Sequence, residues 1–344
     1  MKTKKRILYY DMLNIAACIA VIALHHNGLV HVFTGDSVWK ECLAAEVGFY
    51  WAVPVFLMLS GATLMGYREK YSTKVFFKKR LMRVVLPWLF WSVFFLIWKT
   101  ANGQLTWENY SIKEVINSIL SCRVEDVYWF FPVIIGMYLF MPFLSMAAKD
   151  EYRKVLWYVV IYGIIVNGTI PVLCAMTGLQ WNGAFNMPLG DYYIFVILGY
   201  LLSTTEIPKK WRIGIYITGI CCALIRYGGV YLLSMRDGAK NTLLFGYGQF
   251  HSFGLAVTVF VLFKYIKWDR IFSAGMKKLI SQIAGCSLGI YLIHKQVMQT
   301  ELNLLHFQES QLVWRTGGII LTYLIALVIV LTVKRIPVVK RVFP

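Results

Sequence analysis

Charged residues are scarce in this sequence: Asp, Glu, Lys and Arg fill 15% of 344 positions, where a soluble globular domain carries about 25%. That shortage argues against an ordinary soluble domain. Acid is scarcer still, with 17 Asp plus Glu against 35 Lys plus Arg and a formal net charge of +18. Such a surplus would suit nucleic acid, but the basic residues sit in short loops between apolar runs, so no nucleic-acid partner is expected. Low-complexity stretches and convincing internal repeats are also lacking. The seven cysteines (Cys18, Cys42, Cys122, Cys174, Cys221, Cys222, Cys286) form no CxxC pair and no metal-ligand spacing, so no metal is expected. Several lie mid-helix and read as small apolar core residues, while Cys42 and Cys122 are assigned to outer loops, where they could pair. No small-residue cleavage site follows the basic start and first apolar run, which is therefore read as a retained helix.

What the sequence has instead is apolar length. Hydrophobic residues make up 58% of the chain, and runs approaching the roughly 20 residues that cross a hydrocarbon core recur throughout. In lipid every backbone N–H and C=O must be paired within the segment, so these runs are expected to be helices. The fold class is all-α: one polytopic transmembrane bundle over residues 1–344, with no separate soluble domain. The expected spans are 7–28, 43–65, 78–98, 127–147, 155–176, 189–204, 211–234, 243–264, 279–303 and 313–335. Ten spans with both termini cytoplasmic put 26 of the 35 basic residues on the inner side, as orientation by Lys and Arg requires. An odd number of spans would reverse every later loop. The long outer loop, about 99–126, holds Trp107, Glu108 and Glu114 and suits a short amphipathic segment on the membrane surface.

Ionisable groups at membrane depth are functional candidates. His25 and His26 fall near the outer end of the first span, and Glu46 near the outer end of the second. Arg226 and His294 lie in the outer halves of the seventh and ninth, and His251 about two turns below the outer end of the eighth. Together they suit a polar cavity open to the outside. The plainer readings are interfacial histidines satisfied by backbone carbonyls and an arginine snorkelling to headgroups.

The inner side differs. Arg80 and Arg83 stand one turn apart at the start of the third span, where two guanidinium forks can grip one phosphate-bearing group. Lys78 and Lys79 add point charges. Anionic headgroups would also account for this run. Asp11 and Asn14 at the inner end of the first span can face the same region, and Ser60–Gly61 permits close helix approach.

In this order the pieces resemble the acyltransferase 3 family of membrane O-acyltransferases. They are Tyr10-Asp11-Met12-Leu13-Asn14 running to His25, then Val53-Pro54-Val55-Phe56-Leu57-Met58-Leu59-Ser60-Gly61, then Lys78-Lys79-Arg80-Leu81-Met82-Arg83 with Pro87-Trp88. Tyr128-Trp129-Phe130, with Tyr138 and Pro142, and Leu288-Gly289-Ile290-Tyr291-Leu292-Ile293-His294 complete the set. The resemblance covers essentially the whole chain, with one departure: the family usually has arginine where Asn14 stands, with ten residues between it and the histidine.

The resemblance implies a bacterial inner-membrane enzyme. It would move an acyl group, often acetyl, from cytoplasmic acyl-CoA to a hydroxyl of an extracytoplasmic glycan or lipid-linked sugar. His25 is expected as general base, since neutral imidazole suits proton removal near pH 7. Glu46 is a candidate to orient it. Arg226, His294 or Tyr291 are candidates to stabilise the developing oxyanion, and Arg80, Arg83, Lys79, Asn14 and Ser60 to hold CoA. The expected partners are the sugar acceptor and membrane lipids. The rival readings are a polysaccharide or lipid-linked sugar transporter or flippase, and a sensor without catalysis. No pair of matching halves with Gly/Pro-interrupted helices favours the transporter.

Overall fold

A chain that must pair its own backbone within each apolar run is built as helices. The computed structural model describes residues 7–104, 111–337, 339 and 342–343, and no strand occurs among them. The order is α1 (Leu8–His26), α2 (Ser37–Phe49), α3 (Ala52–Leu64), α4 (Thr73–Arg80), a π turn (Leu81–Val85), α5 (Leu86–Ala101), α6 (Ile112–Leu120), α7 (Phe130–Met146) and α8 (Arg153–Val166). Then follow α9 (Ile170–Thr177), α10 (Asp191–Thr204), α11 (Lys209–Asp237), α12 (Phe250–Tyr265), α13 (Trp268–Ile271), α14 (Ala274–Ala284), α15 (Ser287–Leu305) and α16 (Leu312–Val333). The carboxylate of Asp36 caps α2 by accepting from Trp39 N at 2.8 Å, and glycines in the left-handed region end α9 and α11.

Among the described residues, seven helical stretches are long and apolar enough to cross a membrane: Leu8–His26, Ser37–Glu69, Thr73–Ala101, Asp126–Met146, Asp150–Thr177, Lys209–Asp237 and Leu312–Val333. The two shorter apolar helices, α10 and α12, answer the sixth and eighth expected spans. The eighth starts at Phe250, not 243, so His251 sits in the first turn of α12 rather than two turns in. The ninth expected span is split at Gly285–Cys286 into α14 and α15. Outward faces are apolar: on α11, Ile213, Ile217, Ile220 and Leu224 recur every three or four residues and are exposed, the stripe a lipid-facing helix presents. The chain is thus a multi-pass membrane protein.

Inside the bundle α1 is central, packing against α2, α3, α12, α14, α15 and α16. The tightest crossing joins α3 to α10. A Cβ on Gly61 would run into the backbone of Val196, and one on Gly199 into the backbone of Met58. Small residues therefore set this interhelical distance. Between α5 and α7, α6 exposes Ile112, Ile116 and Leu120 along one face, the amphipathic form expected in this loop; Trp107 and Glu108 lie outside the described residues, as do Lys2, Lys4, Lys5, Arg6, Lys340 and Arg341. All seven cysteines are free, and Cys42 is buried within α2 rather than in a loop, so the suggested pairing with Cys122 is not made.

Candidate active site

The basic segment enters the bundle where the helix changes register. Pro87 offers no N–H to the Arg83 carbonyl, which loosens the ladder, and Leu81–Val85 take up a π turn. Such turns recur at functional sites because they re-aim side chains. Arg80 immediately precedes it and Arg83 lies within it, and both line a cavity of about 350 Å³, with Asn14, Ser60, Phe130, Tyr138, Gly285, Ser287 and Tyr291. Four of the five residues suggested for the acyl donor therefore meet in one space. The fifth, Lys79, is not in the lining; its ammonium lies 3.8 Å from the centre of the Tyr71 ring. The Arg80 guanidinium carbon stands 5.5 Å from the Tyr138 ring, and its Nε is buried with no hydrogen-bond partner among the described residues.

The break between α14 and α15 forms one wall of this cavity. Asn14 Nδ2 donates to the Ala284 carbonyl at 3.1 Å, satisfying one of the free carbonyls at the end of α14. At position 14 the side chain is thus a backbone partner inside the cavity wall. The Ser60 hydroxyl donates to Phe56 O at 2.9 Å.

Tyr291 belongs to both the cavity and the histidines. Its ring lines the cavity, its hydroxyl donates to Val127 O, and its own carbonyl lies 2.7 Å from His294 Nδ1. His294 Nε2 lies 2.8 Å from His25 Nδ1. The ring centroids are 4.9 Å apart with 19° between planes, so the rings meet edge to edge. This chain fixes the tautomers. A carbonyl only accepts, so His294 Nδ1 carries hydrogen; in the neutral ring its Nε2 then accepts, and His25 Nδ1 must donate. His25 Nε2 is left as a lone pair. His294 is fully buried and His25 partly so.

Glu46, suggested as the partner of His25, lies elsewhere. It pairs with Arg226 at 3.2 Å, and the guanidinium carbon sits 3.2 Å over the Tyr50 ring. His251 donates through Nε2 to Gln249 Oε1 at 2.8 Å. The single polar cavity expected towards the outside is therefore two clusters, His25–His294 and Arg226–Glu46–Tyr50–His251. His26 belongs to neither: it contacts Trp314 O at 3.0 Å and Thr322 Oγ1 at 2.9 Å, and Thr322 reaches Glu301 at 2.5 Å. Glu301, a carboxylate in a helix otherwise rich in apolar residues, was the sequence signal for this third group. Among the described residues no group of three or more His, Cys, Asp or Glu is placed to hold a metal ion.

The acyltransferase domain of the acyltransferase 3 family matches residues 7–331. The nodulation protein NolL of Mesorhizobium japonicum is 21% identical over 330 residues, covering 89% of this chain and 80% of that protein. No solved structure matches. With a family match over nearly its whole length, this chain belongs to the acyltransferase 3 family and is an acyltransferase.

Proposed function

We infer that the chain is one domain of ten spans with both termini cytoplasmic, in a bacterial inner membrane. It transfers an acetyl group from cytoplasmic acetyl-CoA to a hydroxyl of an extracytoplasmic glycan or lipid-linked sugar. One observation carries the reading: Tyr291 lines the Arg80–Arg83 cavity and its carbonyl anchors the chain that leaves His25 Nε2 unprotonated. Arg80 and Arg83 suit the phosphates of CoA, and the apolar walls Phe56, Val84, Phe130 and Leu288 suit its pantetheine arm.

The reaction follows from those positions. His25 Nε2 takes the proton of the acceptor hydroxyl as its oxygen attacks the thioester carbonyl carbon. The C–O bond forms, and the carbonyl electron pair moves onto oxygen. As the tetrahedral adduct collapses the C–S bond breaks, and the imidazolium returns its proton to the leaving CoA sulfur. His294 accepts from the opposite nitrogen throughout, so it holds the ring and supports the charge, the role an orienting group plays towards a histidine base. Of the suggested oxyanion donors, His294 has both nitrogens engaged, the Tyr291 hydroxyl is engaged with Val127, and Arg226, though it keeps free N–H groups, belongs to the other cluster, so no oxyanion donor is assigned.

The test is transfer and binding by detergent-purified protein. His25→Ala is expected to lower acetyl transfer by about 10² to 10⁴ while binding acetyl-CoA normally. Arg80→Ala/Arg83→Ala is expected to weaken binding of acetyl-CoA more than that of CoA lacking its 3′-phosphate. Transfer by His25→Ala at the wild-type rate would remove the base assignment.

A further inference from the structure

The cavity that Arg80 and Arg83 line has two unlike ends. At one stand the charges, with the Arg80 guanidinium carbon 5.5 Å from the Tyr138 ring. At the other stand rings. Phe130 lines the cavity eight residues before Tyr138 on α7, about 12 Å away along the helix at roughly 1.5 Å per residue. Its ring centroid lies 6.4 Å from that of Phe56 and 6.1 Å from that of Tyr291, and both of these also line the cavity. The helices α3 and α15 repeat the division, since Ser60 stands one turn from Phe56 and Ser287 one turn from Tyr291.

The ring end is held from behind. The Tyr291 hydroxyl donates to Val127 O. Phe131 packs on Tyr291 at 5.8 Å, is 1% exposed, and is backed in turn by Tyr128 at 5.2 Å and Trp88 at 6.0 Å. A wall packed in this way has no slack, and a methylene group pushed into it displaces several neighbours at once. This is also the end beside the histidines, for the Tyr291 ring lies 5.6 Å from that of His294.

An acyl-CoA seated with its phosphates at the arginine pair points its acyl group at these rings. Its pantetheine arm runs about twelve bonds from phosphate oxygen to sulfur, and an extended chain advances about 1.2 Å per bond, so the arm spans roughly 14 Å. That is close to the ~12 Å from Tyr138 to Phe130 along α7. The arm therefore uses the length of the cavity, and the thioester arrives at Phe130 with little depth to spare. Every carbon beyond the thioester carbonyl must fit against the rings.

We propose that Phe130, Phe56 and Tyr291 set the acyl length of the donor: the ring-closed end admits a two-carbon acyl group and rejects one of four carbons. This rests on the reading of the cavity as the acyl-CoA site and names the residues that choose its acyl group. Phe130 is the deciding one, because it touches both of the others. On an open apolar surface the two methylene groups that butyryl adds to acetyl would strengthen binding. In a closed pocket a single methylene group is discriminated by about 10–200-fold, so here they are expected to weaken it by about tenfold or more.

The experiment measures binding of CoA, acetyl-CoA and butyryl-CoA to detergent-purified wild type, Phe130→Ala, Phe130→Leu, Phe56→Ala and Ile134→Ala. Ile134 lines the same cavity one turn from Phe130 on the Tyr138 side, so trimming it loosens the wall without lengthening the ring end. Binding of CoA itself reports an intact fold in each variant. Wild type is expected to bind butyryl-CoA about tenfold or more weakly than acetyl-CoA, and Phe130→Ala to bind the two within about threefold. Phe130→Leu and Phe56→Ala are expected to fall between, and Ile134→Ala to keep the wild-type preference. Where Phe130→Ala does not bind CoA, Phe130→Leu and Phe56→Ala carry the test. A wild type that binds butyryl-CoA as tightly as acetyl-CoA would overturn the proposal, as would ring variants that keep the wild-type preference. An Ile134→Ala protein as permissive as Phe130→Ala would also overturn it. A wild type that binds neither acetyl-CoA nor CoA would instead remove the donor reading of the cavity, and the proposal with it.

Discussion

Replacing His294 separates the orientation of the base from the base itself. In His294→Ala the Nδ1–H of His25 loses the acceptor that stands 2.8 Å away. The ring is then free to carry its hydrogen on Nε2, the form that cannot take the acceptor proton. A hydrogen bond of this type contributes about 0.5–1.5 kcal/mol, and each 1.36 kcal/mol is tenfold in rate. The expected fall is therefore about twofold to thirteenfold. Removing the base outright in His25→Ala is expected to cost about 10² to 10⁴. His294→Gln offers an amide oxygen where Nε2 stood and is expected to recover part of the rate lost in the alanine variant. The assay is single-turnover acetyl transfer at saturating acetyl-CoA by purified protein, with acetyl-CoA binding measured on the same samples. A wild-type rate in His294→Ala would refute the orienting role. So would a loss as deep as that of His25→Ala with no recovery in the glutamine variant.

The other expectations concern the donor cavity and the packing. Arg80→Ala and Arg83→Ala each remove charge-assisted bonds worth about 1.5–3 kcal/mol; each is expected to raise the KM for acetyl-CoA by about tenfold or more, read from initial rates, with a smaller change in kcat. Glu46→Ala leaves the fully buried Arg226 uncompensated, a change costing about 3–5 kcal/mol; a fall in the detergent melting temperature is expected, largely absent in Glu46→Gln/Arg226→Gln. Gly199→Ala puts a methyl group into the backbone of Met58 and is expected to lower the yield of folded protein, judged by gel filtration, whereas Gly214→Ala, with open space around it, leaves it unchanged.

Much of the fold was readable because the bilayer imposes one rule on every segment. Seven stretches meet the length and apolarity of a span, and α10 and α12 answer two shorter runs. The interruptions were not readable, since Tyr50–Trp51 and Gly285–Cys286 interrupt runs whose hydropathy continues across them. The residues suggested for the donor were brought together more fully. Arg80 and Arg83, at i and i+3, and Asn14 and Ser60 at the matching depth, converge on one cavity. Lys79, chosen for its charge beside the arginine pair, lies over Tyr71 and outside that lining.

The amino-acid order alone determined an all-helical chain in lipid, the family to which it belongs and the residue types its chemistry needs, because apolar length and local spacing are properties of single segments. Only the tertiary structure decided who partners whom. Depth along a helix fixes one coordinate and leaves rotation and neighbour open, so Glu46, His25, Arg226 and His294 looked like one group. Packing of α1 on α15, and of α2 on α11, divided them into a histidine pair and a neutralised arginine.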